Sequence, residues 1–484
     1  MNMKKMKRLV ALALSVVMVL AMSVVAFAEG NTTYTITAPK TSHQYEIYQI
    51  FTGDLHEGVL SNVKWGQNGT GTQGEAVADS VLDELKNVKN VKSDTEKLAV
   101  IEKYAILSNP VATITNGATY KAAAGYYLIK DANGSVSGTD SYTTYIVEVV
   151  GNVTITPKSD VPNFEKKLKD TNDTTGETSG WQDSADYDIG DKIPFQLKGT
   201  VAKNYDAYKT YYFAFHDKEE EGLTFDASSV KVYVDGTQIT SGYEVKTPGE
   251  THADCTFEVV FDNLKNIASV KAGSKITVEY ESTLNDKAVL GSQGNVNQAK
   301  LEFSNNPNDA QGGEKGETPW DNVIVFTYQV VVNKVDENKD PLTGAEFTLV
   351  KNLENGGTKT IAVVKAENGT QFNFKGLDDG EYTLSETTTP NGYNTISPIT
   401  FTVTADHNIE WKTGKRTTIL TELKGGDKFT GNVSTGNLTG TIENKKGASL
   451  PSTGGIGTTI FYVVGGILMV GAAVLLITKR RTEN

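Results

Sequence analysis

Three side chains able to react with one another fall on apolar strand faces towards the C-terminal end of the sequence. In the run from Phe326 to Lys334, alternate residues point the same way. Lys334 therefore shares a face with Phe326, Tyr328, Val330 and Val332. By the same parity Glu386 joins Tyr382 and Leu384, and Asn444 joins Leu438 and Ile442. An inward Lys, Glu or Asn is costly alone. Together they can satisfy one another, or react. Burial lowers the pKa of an amine and raises that of a carboxyl. A neutral amine is a nucleophile, and a neutral acid can donate to a carboxamide and shuttle protons. Amine attack on the Asn side-chain carbonyl, with loss of ammonia, would leave a Lys–Asn isopeptide bond. Parity alone also admits a buried salt bridge with an Asn hydrogen bond, or polar strand ends facing water, and by itself favours them.

A second set repeats the order more weakly. Lys166 shares parity with Phe164 and Leu168, Asp217 with Tyr211, Phe213 and Phe215, and Asn305 with Leu301 and Phe303. The preferred triplet is Lys166, Asp217 and Asn305, with Lys167, Asn306 and Asn322 as near alternatives. A further lysine has the opposite placement. In the run from Val153 to Lys158, the residues Val153, Ile155 and Pro157 share the apolar face, so Lys158 faces solvent directly after a proline. The tail carries Leu450-Pro451-Ser452-Thr453-Gly454, an apolar run over 456–477 and a basic stop, Lys479-Arg480-Arg481. A run of about 20 apolar residues is long enough to span a bilayer, and the basic residues favour the cytoplasmic side.

The elements that must hold these groups are strands. The body is rich in Thr, Val, Tyr and Gly, with short alternating runs between turn residues, which reads as all-β sandwiches. One helical island interrupts them, around Gly74 to Ser108. At the front, Lys4, Lys5, Lys7 and Arg8 precede an apolar stretch and then Ala26-Phe27-Ala28, an A-x-A cleavage site. Residues 1–28 thus read as a signal peptide. The expected organisation is an N-terminal domain over 29–160, a second over 161–321, a third over 322–446, and a sorting tail over 447–484.

The longer motifs carry a resemblance. The stretch from Lys334 through Pro341-Leu342-Thr343-Gly344-Ala345-Glu346-Phe347 is similar to the opening of a Cna-B-type domain. Tyr382 to Tyr393 matches Y-x-L-x-E-T-x-x-P-x-G-Y, the E-box of Gram-positive pilins. The order Lys166, Asp217, Asn305, with Ser184 to Gly199, resembles the isopeptide-forming second (CnaA-like) domain of backbone pilins. The segment ending in Pro157-Lys158 resembles their pilin motif, V-x-V-Y-P-K, departing from it at Ile155 and Thr156. LPSTG followed by a span and a basic tail resembles a Gram-positive cell-wall sorting signal. The resemblance implies the major (backbone) pilin of a sortase-assembled pilus, with three tandem immunoglobulin-like β-sandwich domains and a C-terminal transmembrane helix. It implies Lys334–Asn444 and Lys166–Asn305 bonds, with Glu386 and Asp217 as the catalytic acids. It also implies sortase cleavage between Thr453 and Gly454 and transfer to Lys158 of another subunit.

Partners implied are the chain itself, a pilus-type (class C) sortase, a housekeeping sortase with peptidoglycan, minor pilins, and a host or matrix ligand. The alternative is a monomeric wall-anchored adhesin or stalk, which needs no outward lysine. The net charge of -13 argues against a nucleic-acid partner. A single cysteine, Cys255, cannot form an internal disulfide. The five histidines show no ligand spacing, so no metal or cofactor is expected. No Ser/His/Asp or Cys/His arrangement supports an enzyme.

Overall fold

The computed structural model describes residues 33–56, 59–87, 94–143, 145–149, 151–157, 159–252, 254–365, 369–408, 410, 419–447 and 468–469. Its strands form three successive β units, each built from two sheets.

In the first unit the long strand Gln44–His56 is covered on both faces. Tyr45 and Ile47 enter one core with Ile36, Ile129 and Ile155, while Tyr48, Ile50 and Phe51 enter another with Leu85, Ile101 and Leu128. Strict alternation would separate Ile50 from Phe51. A register shift between Gln49 and Phe51, against Gly125–Asp131, puts both on the same side. The helical island resolves into two helices, Asp79–Asn87 and Asp94–Glu102, which close this second core through Leu85 and Ile101.

The second unit is a sandwich. Its five-stranded sheet ends in the edge strand Asn163–Leu168, beside Lys192–Thr200 and then Lys275–Leu284. The facing sheet is centred on Asn295–Ser304, with Phe213–Glu219 and Asp321–Phe326 on its flanks. Burial alternates residue by residue along Lys192–Thr200 and Lys275–Leu284. That period is why a single inward lysine on a neighbouring strand is fully enclosed.

The third unit pairs its first strand, Tyr328–Val335, in parallel with its last, Asn437–Glu443. A five-stranded sheet containing Glu346–Asn352, Gly380–Thr388 and Ile399–His407 covers them. The strand Asp321–Phe326 belongs to both units. It hydrogen-bonds into the second unit's sheet, and Val323 and Val325 join that core. Ile324 and Phe326 on its other face join the third unit's core. The expected division after residue 321 thus falls at the start of a strand shared by two cores. Among the described residues, no helix is long and apolar enough to cross a membrane. The expected signal peptide, residues 1–28, and most of the 456–477 run lie outside the described residues.

Candidate functional site

In the third unit, the parallel register sets Lys334 opposite Ile442. Lys334 Nζ donates to Ile442 O at 3.1 Å and to Val335 O at 3.2 Å, and Asn444 N donates to Val335 O at 3.0 Å. First and last strands therefore carry the lysine and the asparagine side by side, both buried. Burial draws the Lys334 amine below its usual pKa, against the opposing pull of Glu386. Asn444 Nδ2 donates to Glu386 Oε1 and Oε2, each at 3.0 Å, and to Asn394 O at 3.0 Å. Among the described residues, Asn444 Oδ1 has no hydrogen-bond partner. Glu386 Oε2 also accepts from Ile396 N at 3.1 Å. The turn after Glu386 closes through Tyr393 N to Pro390 O, and the next residue reaches the final segment through Asn394 N to Lys445 O at 2.9 Å. The Pro-Asn-Gly-Tyr stretch therefore clamps the end of the last strand against the acid.

The second unit encloses Lys166 completely. Its Nζ donates to Asp217 Oδ2 and, at 2.8 Å, to Tyr280 OH, which in turn donates to Asp217 Oδ2 at 2.8 Å. The rings of Phe195 and Tyr280 lie 5.5 and 5.4 Å from the ammonium nitrogen. Burial pulls the Lys166 amine down, outweighing Asp217, and pushes the Asp217 carboxyl up. Burial, then the nearby Asp217, takes Glu219 up to about 8.

The asparagine that reaches this pocket is Asn297. Its Nδ2 donates to Tyr280 OH at 2.9 Å and to Glu219 Oε1 at 3.1 Å. Among the described residues, Asn297 Oδ1 and Asp217 Oδ1 have no hydrogen-bond partner. Asn305 does not come to the pair. In the antiparallel register Glu219 faces Asn297 and Asp217 faces Ala299, whereas Phe213 faces Phe303. Asn305 lies beyond that far end, against the first unit, where its backbone oxygen accepts from Tyr142 N at 2.7 Å. Asn297 and Asn305 have the same parity, so the inward face was legible and the register was not. Of the alternatives, Lys167 turns to Asp183 at 2.6 Å, Asn306 accepts from Asn308 N in a loop, and Asn322 faces Gln298 across the ladder.

Lys158 lies outside the described residues, as do Leu450, Pro451, Ser452, Thr453 and Gly454. The flanks of Lys158 are held. Ile155 is buried and donates its N to Thr37 O at 2.9 Å, and Asp160 O accepts from Ser141 Oγ at 2.8 Å.

Sequence reasoning missed the charged seam between the second and third units. Asp188 Oδ1 accepts from Asp378 N and Tyr382 OH, both at 3.1 Å. Its Oδ2 accepts from Lys359 Nζ at 3.1 Å and Lys351 Nζ at 3.4 Å. All four donors come from the third unit. Lys351 has the same inward parity as Phe347 and Leu349, a signal of the kind that located Lys334.

Comparison with known proteins agrees with this architecture. A family model described as a Gram-positive pilin backbone subunit 2, Cna-B-like domain, matches residues 189–307. A prealbumin-like fold domain matches 328–417, and an LPXTG cell wall anchor motif matches 442–484. The trypsin-resistant surface T6 protein of Streptococcus pyogenes serotype M6 is 27% identical over 440 residues, covering 76% of this chain and 77% of the relative. The solved T6 backbone pilin of that serotype superposes with a TM-score of 0.54 at 19% identity, over 87% of this chain and 100% of that one. The full-length major pilin SpaD of Corynebacterium diphtheriae gives a TM-score of 0.48 at 16% identity, over 86% and 98%. Two pilin-type domains in series, a wall-sorting tail and a relative matched along three quarters of its length support a structural, cell-wall-anchored shaft subunit, similar to the backbone pilins of sortase-assembled pili.

Proposed function

We propose that this subunit polymerises through Thr453 and Lys158 and is reinforced by two internal isopeptide bonds, Lys334–Asn444 and Lys166–Asn297. In the assembly step, a pilus-type sortase cysteine attacks the Thr453 carbonyl and releases the segment beginning at Gly454. The Lys158 amine of another copy then attacks the thioester, forming an amide and regenerating the thiol. A housekeeping sortase transfers the final acyl group to peptidoglycan, and minor pilins join by the same chemistry. Support for Lys158 comes from its place between the first and second units, with both flanks pinned.

The observation that carries the internal bonds is the contact of Glu386 with the Asn444 carboxamide, beside a buried lysine on the adjoining parallel strand. The neutral Lys334 amine attacks Asn444 Cγ. Glu386 relays a proton from the attacking amine to the departing Nδ2, so ammonia leaves and the carboxyl group ends as it began. In the second unit Asp217 takes the role of Glu386, with Tyr280 bridging to the carboxamide of Asn297. Each bond lowers the intact mass by one ammonia. Intact-mass measurement of the mature chain should show two such losses, and an unreduced mass would refute the internal bonds.

A further inference from the structure

The outer face of the second unit's larger sheet carries a cluster that neither the pilus assembly nor the isopeptide chemistry uses. His216 is on the same strand as Asp217 but points the other way, and lies across from Glu258 of the Phe257–Phe261 strand. Both side chains are buried although they face outward from the sandwich, because His252 and Cys255, from the loop before the Phe257–Phe261 strand, lie across them. Cys255 and His252 come from that loop. His252 N donates to Glu258 Oε1 at 3.0 Å, and Cys255 N donates to His252 O at 2.9 Å. Two of the chain's five histidines and its sole cysteine thus converge on one buried carboxylate.

We propose that His216, His252, Cys255 and Glu258 form a zinc site. The donor atoms of His216, Cys255 and Glu258 all lie within 4.8 Å of one another. His216 Nδ1 is 3.0 Å from Glu258 Oε1, and Cys255 Sγ is 3.7 Å from His216 Nδ1. Tetrahedral zinc, with bonds of about 2.0 Å to nitrogen or oxygen and about 2.3 Å to sulfur, separates its ligands by about 3.3–3.6 Å. Those two separations bracket that range. His252 Nδ1 is only 2.5 Å from Glu258 Oε1, closer than two ligands of one ion, but its side chain is 67% exposed on the loop and has room to turn into the fourth position.

The outer shell fits as well. His216 Nε2 is 3.3 Å from Glu302 Oε2. That carboxylate would fix Nδ1 as the metal-facing nitrogen, and such partners typically orient ligating histidines. Imidazole and thiolate together select zinc over calcium or magnesium. Binding releases the Cys255 proton to solvent and ties the loop onto the sheet, a cross-link that a chain with one cysteine cannot obtain from a disulfide.

The test uses the full chain without any affinity tag, the Cys255→Ser and His252→Ala variants, and zinc or cobalt(II) alone as probe. Both substitutions are in the accessible loop, so neither disturbs the sheet. The parent should retain one zinc per chain after dialysis, and each variant should bind about tenfold or more weakly. Cobalt should give the parent an intense tetrahedral spectrum with a sulfur-to-cobalt charge-transfer band, and Cys255→Ser should lose that band. Equal zinc affinity in parent and variants, or a weak octahedral cobalt spectrum, would mean the cluster is a hydrogen-bonded His–Glu network and would overturn the proposal.

Discussion

At the scale of single residues, the chemistry depends on buried amines that have somewhere to go. Lys334 and Lys166 are each enclosed, drawn down by burial, and set beside an acid and a carboxamide. Glu386→Ala should leave Lys334 and Asn444 unlinked, because no other acid contacts the Asn444 carboxamide among the described residues. A tryptic digest should then lack the cross-linked peptide joining the first and last strands of the third unit; finding it undiminished would remove Glu386 from its role. In the second unit, Asn297→Ala should restore one ammonia to the intact mass, whereas Asn305→Ala should leave the mass loss in place. The reverse result would return the assignment to Asn305. The contrast marks what was legible in the sequence. Side-chain parity is a local property of a strand, and it placed Lys166, Asp217, Lys334, Glu386 and Asn444 inward. Choosing between two asparagines of equal parity requires the cross-strand register, which is set by partners far away in sequence. The His216 cluster was hidden for the same reason: its histidines are separated in sequence and meet only because a loop folds over the sheet.

At the scale of elements, a Lys334–Asn444 bond would join two parallel neighbours that are also the first and last strands of their unit. Pulling on the chain ends would then load that bond directly rather than unzip the intervening strands. By analogy with a disulfide closing a long loop, losing it should cost about 2–5 kcal/mol, visible as a lower Tm for Glu386→Ala. A different device operates in the first unit. His43 is buried between Asp131, 2.9 Å from Nδ1, and Asp140, 2.8 Å from Nε2. The Asp131 hydrogen bond, opposed by burial and helped by Asp140, raises the imidazolium from 6.5 to about 9. A folded-state pKa above the unfolded one stabilises fully below the unfolded value and is lost as pH rises through the folded one. The first unit should therefore weaken between pH 6.5 and about 9. His43→Gln should flatten that slope, with a cost of at most about 3 kcal/mol on the acid side. Equal destabilisation of the variant at both ends of the range would show that packing, rather than charge, is what His43 supplies. The alternating runs and the helical island were readable in advance. The bulge that lets Ile50 and Phe51 share a core was not, because it breaks the period on which such readings rest.

At the scale of the whole molecule, the second and third units are coupled by a strand with one face in each core and by the Asp188 seam. Gly291 and Gly436 meet across the same seam, where a Cβ on Gly291 would lie 2.4 Å from Gly436 N. Asp188→Ala would leave Lys351 its bond to Asp378 but take away the acceptor of the buried Asp378 N, at a cost of about 1–3 kcal/mol for an unsatisfied buried donor. Limited proteolysis should then open the seam between the units while each sandwich stays resistant; an unchanged digest would show that the junction holds without Asp188. Such coupling suits a shaft, since force passed from one subunit to the next must cross every junction. Assembly gives the sharpest test at this scale. Lys158→Ala should abolish the ladder of covalent oligomers on a denaturing gel while leaving the monomer's stability within about 0.5 kcal/mol of the parent, as the outward parity read from the sequence implies. Thr453→Ala should abolish the ladder for the opposite reason, because no acyl donor forms. The Lys158 variant keeps a donor and lacks an acceptor, and the Thr453 variant keeps an acceptor and lacks a donor. Co-expressed with the pilus sortase, the two should yield a dimer and nothing longer. A full ladder from the Lys158 variant alone would mean that another exposed lysine receives the Thr453 acyl group, and the head-to-tail connection would have to be redrawn through it.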